Sequence, residues 1–100
     1  MAAGFRLTRD AQQDLTEIRS YTAQAWGQAQ SGKYLQDLRS TLELLAEFPG
    51  QGVLRKDAGE GVLSFPYGSH MLYYRVESKT VVVFAVLHQK MLPTAHIRGR

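Results

Sequence analysis

Five side chains in this sequence have the types that RNA cleavage would need: His88, Tyr73, Arg75, Arg55 and Lys56. Attack of a 2′-hydroxyl on its own phosphate requires a general base, a general acid and cations for the charge that grows on phosphorus. His88 has the ordinary pKa for proton transfer near neutrality, and it stands at the end of an apolar run. Arg75 and Tyr73 share the stretch FPYGSHMLYYRV, residues 65–76, while Arg55 and Lys56 sit in a glycine-rich segment. In so apolar a strand, Arg75 could read RNA, grip a protein partner, or turn to water as an edge charge.

Other chemistries find less support. With no cysteine, disulfides and thiolate metal ligands are excluded. His70, His88 and His96 lack metal-ligand spacing, so no metal is expected, and His70 at a strand start reads as a hydrogen-bonded structural histidine. Gly50, Gly52, Gly59 and Gly61 are not followed by the lysine and hydroxyl of a phosphate-binding loop. No cofactor is implied.

The elements that must position these residues follow from periodicity. Phe5 and Leu7 alternate with polar neighbours and predict a short opening strand. Thr8 is suited to cap a helix, with Asp10 in its first turn. Ala11, Leu15, Ile18, Thr22 and Ala25 recur at three- and four-residue steps, widened by Tyr21 and Trp26 into one helical face. Gly27 ends that helix. A second stripe, Leu35, Leu38, Leu42 and Leu45, runs to the Pro49-Gly50 stop. So short a connection predicts an antiparallel helical hairpin. Residues 49–61 read as a loop, and strands are expected at 62–65, 70–76 and 80–88. The order β-α-α-β-β-β predicts an α+β domain: a small, mainly antiparallel sheet with the hairpin on one face. One hundred residues suffice for one domain with a single core, its ends at 1–4 and 97–100 frayed.

With residues 77–79 as the last turn, Leu72, Tyr74, Val76, Val82, Phe84 and Val86 share the face toward the helices. Met71, Tyr73, Arg75, Val81, Val83, Ala85 and Leu87 share the reverse. Two helices cannot cover both faces, and a solvated face should read polar. The reverse is therefore expected either to dock another chain or to lie under the tail, with Met91 and Leu92 as plugs.

The net charge is +3, but residues 9–48 hold a net −2 and residues 49–100 a net +4. An anionic partner would thus meet the C-terminal half. No stretch approaches the roughly 20 apolar residues of a membrane span, and no signal-type run opens the chain, so a cytoplasmic protein is expected.

In this frame LTRDAQQDLTEIRSYTAQAWG resembles the first helix of ParE-type toxins, with its D-L-x-x-I-x-x-Y core and W-G end. YLQDLRSTLELLAEFPGQG is similar to their second helix and stop. FPYGSHMLYYRV and VVVFAVLHQKM are similar to their terminal strands, through H-x-x-x-Y-R-V and V-L-H-x-x-M. The resemblance covers roughly residues 5–92 and implies membership of the RelE/ParE superfamily of type II toxin–antitoxin systems.

That membership implies two functions. ParE-type members inhibit DNA gyrase and are neutralised by a ParD-type antitoxin; RelE-type relatives cut mRNA on the ribosome. Three features disfavour the nuclease. His88 leans toward the helices while Arg75 and Tyr73 lean away, the surroundings of Arg75 are greasy, and no late tyrosine of RelE type follows His88. The expectation is a gyrase inhibitor with no catalytic residues; His88, Arg75 and Tyr73 are the set for the alternative metal-independent ribonuclease. Met71, Tyr73, Arg75, Val83, Ala85 and Leu87 are expected to bind the antitoxin, unless its apolar anchors enter the helical-hairpin groove. Arg75, His88, Lys90 and Arg98 are expected to meet the target. Specific nucleic-acid binding and membrane contact are not expected.

Overall fold

The computed structural model describes residues 4–97 and 99–100. The chain opens with β1 (Phe5–Leu7) and turns directly into α1 (Arg9–Trp26), whose first turn is capped by Thr8: its hydroxyl accepts from the Ala11 N–H at 3.2 Å. Gly27, at φ 93°, is both the last cap of α1 and the first of α2 (Gln28–Glu47). A single left-handed residue thus reverses the chain, which only glycine does without strain. The two helices are fastened where they cross by a buried hydroxyl pair, Thr22 and Ser31, 2.6 Å apart.

The sheet has five strands in the order β1-β5-β4-β3-β2. Its last four are antiparallel neighbours, and β1 lies parallel to β5 along Phe5↔Val81 and Leu7↔Val83. The α+β expectation holds, with two elements added. The loop at residues 49–61 contains β2 (Val53–Leu54), an edge strand of only two residues flanked by single 3-10 turns. After β3 (Leu63–Tyr67), β4 (His70–Glu77) and β5 (Thr80–His88), the tail makes a one-turn helix, α3 (Pro93–His96). No helix among the described residues is long and apolar enough to cross a membrane.

The expected register of the last hairpin is corrected. Its turn is two residues long, Ser78 and Lys79, both at positive φ (49° and 66°), and Glu77 pairs with Thr80. That is the primed geometry, whose twist suits paired strands. It moves β5 by one residue against the expected ladder, so Val81 and Val83 face the helices and Phe84 faces the reverse. A bulge opposite Tyr73 and Tyr74 then restores the phase: Tyr74 pairs with Val83 but Tyr73 pairs with Ala85. Phe84 is the extra residue, and beyond it Ala85, Val86 and Leu87 occupy the faces first expected.

Two cores result. Between sheet and hairpin lie Leu38, Leu42, Leu45, Leu72, Tyr74 and Val83 with their neighbours. On the reverse, Tyr73, Phe84, Ala85 and Leu87 pack under Val62 and Ile97, with Ala58 alongside. The chain therefore roofs much of its own reverse face. The plug is Ile97, 7% exposed, whereas Met91 and Leu92 stand 43% and 69% exposed. Of the tail residues expected to fray, Ile97 is buried and Arg100 is hydrogen-bonded to Asp14.

Candidate functional site

The structure does not bring the sequence-derived nuclease set together. Arg75 lies opposite Val82, and His88 lies six residues further along β5, roughly 20 Å away at about 3.3 Å per residue. They also occupy opposite faces. His88 stacks edge-on against His70, with ring centroids 5.7 Å apart, and His70 meets Tyr34 of α2. Tyr73 is fully buried on the reverse face, beneath the Arg55 guanidinium at 5.6 Å. The separation of His88 from the other two follows from strand length and alternation alone.

At the His88 end, the His88 Nδ1 accepts from the Lys90 N–H at 3.1 Å, which leaves Nε2 to carry the proton of the neutral ring. His70 is buried, and its Nδ1 lies 2.7 Å from the Tyr34 hydroxyl, which also accepts from the Ser69 N–H. Burial and the neighbouring His88 both lower the His70 pKa. The structural role read for His70 from its position agrees with these contacts. His70, His88 and His96 all border a cavity of about 390 Å³ against α1, yet among the described residues no group of metal-ligating side chains is placed to hold an ion. Lys90 is exposed nearby, and Arg98 lies outside the described residues.

The expected antitoxin face needs correction for Val83, which the shifted register turns into the helix-side core with no exposure. Ala85, Leu87 and Tyr73 do lie on the reverse face, but each is buried there beneath the chain's own Val62 and Ile97. Met71 is partly covered. Arg75 is half-buried, with its guanidinium carbon 4.6 Å above the Phe84 ring. So the charge in the greasy strand is seated on an aromatic face, at the mouth of a groove between residues 56–59 and the tail.

One feature escaped the sequence reading, and a second was named there only in outline. The first is Asp14, which sits on the buried stripe of α1 and accepts from the Val86 N–H at 2.9 Å. It also forms a bidentate pair with Arg100. The signal was a carboxylate three residues after Ala11 and four before Ile18, on the face that had to be apolar. The second is a groove of about 610 Å³ between the helical hairpin and β1, floored by Phe5, Leu7, Leu15, Leu35 and Leu42. Arg19 and Arg39 stand at its sides, Arg39 over the Phe5 ring at 5.8 Å. The hairpin groove was named from the leucine stripes as a place for apolar anchors, but its lining, with Phe5 and Leu7 of β1 as one side, was not.

Comparison with known proteins adds the following. The family model described as "ParE toxin of type II toxin-antitoxin system, parDE" matches residues 5–93. The chain is similar to "Toxin ParE1" of Caulobacter vibrioides, with 39% identity over 93% of this chain and 96% of that relative. It is similar to "Toxin ParE1" of Mycobacterium tuberculosis at 35% identity, over 91% of this chain and 94% of the relative. Among solved structures, a chain of the "Chromosomal ParDE TA system from P. aeruginosa" superposes with a TM-score of 0.75. That match covers 87% of this chain and 96% of the other at 21% identity, a likeness of fold.

Proposed function

The chain belongs to the ParE toxin family of type II toxin–antitoxin systems, and from that premise we propose that it inhibits DNA gyrase by binding it in the cytoplasm and is neutralised by a ParD-like antitoxin. The observation that carries the choice of inhibitor over ribonuclease is the separation of Arg75 from His88 on opposite faces of the sheet. A ribonuclease must hold base, acid and cation within hydrogen-bond reach of a single phosphate. An inhibitor needs only a stable scaffold and a complementary surface. The same separation divides the proposed target-facing residues: His88 and Lys90 belong to one end of β5, and Arg75 to the groove near the other.

The antitoxin site we favour is the hairpin groove. Its apolar floor suits an amphipathic segment with hydrophobic anchors, and Arg19 and Arg39 suit acidic residues beside those anchors. The reverse sheet face is the weaker choice, because Val62 and Ile97 already occupy it.

A supercoiling assay tests the inhibitor reading. Purified protein in stoichiometric excess is expected to slow gyrase or to raise its cleavage complexes. Unchanged supercoiling and unchanged cleavage would sink the reading, and ribosome-dependent mRNA cuts in the same preparation would replace it.

A further inference from the structure

A half-buried guanidinium normally has a carboxylate or carbonyl to meet, because removing it from water without partners is unfavourable. Arg75 makes no hydrogen bond and no ion pair among the described residues; its single close contact of note is the Phe84 ring, at 4.6 Å. The groove it faces, of about 440 Å³, runs between residues 56–59 and the tail. The acid that lines this groove, Asp57, is already held by Arg55 through two hydrogen bonds, at 3.0 and 2.9 Å. Arg100, at the other side, is committed to Asp14. Among the described residues two cations are therefore left over, Arg75 and Lys56, facing a cleft with apolar walls at Ile97 and Pro93.

We propose that this groove is a recognition site for a carboxylate side chain, an Asp or Glu with an apolar neighbour, presented by the protein that the toxin binds as its target. Arg75 supplies the planar fork that takes both oxygens, Phe84 holds the fork flat from below, and Lys56 adds a second positive charge at the rim. The apolar neighbour seats on Ile97. A nucleic-acid phosphate is the poorer match: reading a single strand needs exposed aromatic faces for the bases, and Phe84 and Tyr73 are both 2% exposed. The groove also lies across the sheet from the hairpin, so it can be occupied while that face holds another chain. The inference rests on the inhibitor reading for the identity of the protein that brings the carboxylate.

The site can be tested apart from that identity. In ¹H–¹⁵N spectra of the full chain, acetyl-Glu-Leu-amide is expected to shift the Arg75 Nε–H and the Gly59 and Ile97 amides, while acetyl-Gln-Leu-amide leaves them in place. Arg75→Gln should abolish the shifts, and Arg75→Lys, which keeps charge but not fork, should reduce them. In the supercoiling assay, Arg75→Gln should raise the half-inhibitory concentration about 10- to 100-fold, the range for losing a hydrogen bond to a charged group. Lys56→Gln, at an exposed position, should raise it by a smaller factor and carries the test if Arg75→Gln does not fold. Absence of any shift with the glutamate probe overturns the proposal. So does saturation of the same resonances by inorganic phosphate or a short oligonucleotide at lower concentration. Probe shifts without gyrase inhibition by the native chain would leave the groove standing and remove its assigned partner.

Discussion

Arg100 and Asp14, 86 positions apart in sequence, together take up backbone groups of β5 beyond the end of β1. Asp14 accepts from the Val86 N–H, and the Arg100 guanidinium donates to the Phe84 carbonyl at 3.3 Å while gripping Asp14 with both nitrogens. The reason lies in the sheet edge. β1 accompanies β5 only as far as Val83, with Thr8 adding one last bond to the Val83 carbonyl. Beyond that point β5 has no strand beside it, and buried backbone groups there need side-chain partners. The hydrogen bond to Asp14, stronger than its burial, raises the pKa of Arg100 and keeps it charged.

Asp14→Ala removes the acceptor for Val86 and strands Arg100, so it should destabilise the protein by about 3 kcal/mol. Arg100→Ala should cost less, because Asp14 keeps its backbone bond. Urea unfolding of both single variants and the double variant checks this. Additive losses, with no coupling between the two positions, would show that the pair does not act as a unit.

Acidification should weaken the fold through His70. Its folded pKa is lowered by burial and by His88, so as the pH falls below about 6.5 the unfolded chain takes up its proton first. Stability is thus fully present above that pH and declines below it. His70→Asn keeps a polar amide, able to donate or accept, near the Tyr34 hydroxyl and cannot titrate. The melting temperature of this variant is expected to fall less between pH 7 and pH 5 than that of the native chain; equal slopes would exclude His70 as the group responsible.

Gly52 is irreplaceable for steric, not conformational, reasons. Its φ is −72°, open to any residue, but an added Cβ would run into the Tyr74 hydroxyl. That hydroxyl accepts from the Gly52 N–H at 3.0 Å and donates to the Pro49 carbonyl at 2.6 Å. Gly52→Ala should therefore cost about 1–3 kcal/mol. In a Tyr74→Phe background the same change should cost less but remain unfavourable, because the ring carbon Cζ and the Ser64 carbonyl still lie within 3.0 Å of the added Cβ. Thermal melts of the four proteins decide it.

Reversing the charges beside the hairpin groove tests the antitoxin site. Both guanidinium groups line the groove from the helix surfaces, and the Arg39–Glu43 pair on α2 is exposed and long, at 4.0 Å, so its loss should matter little to stability. Arg19→Glu with Arg39→Glu should weaken the complex with a ParD-like antitoxin at least 10-fold and flatten its salt dependence. Calorimetry at two ionic strengths reads both effects. Undiminished affinity would move the antitoxin elsewhere on the surface.

Sequence alone determined the two helices, the turn at Gly27 and the three long strands, because each is encoded by neighbours three, four or two positions apart. It also separated His88 from Arg75, since strand alternation is local. Only the tertiary structure decided which residues of β5 face the helices. A two-residue turn in place of a three-residue one exchanged Val83 and Phe84 between faces, and a bulge, held by an aspartate and an arginine from distant parts of the chain, exchanged the rest back. The same tertiary packing chose Ile97 over Met91 and Leu92 as the cover of the reverse face. Register and cover depend on contacts between segments far apart in the chain, where no periodicity carries the information.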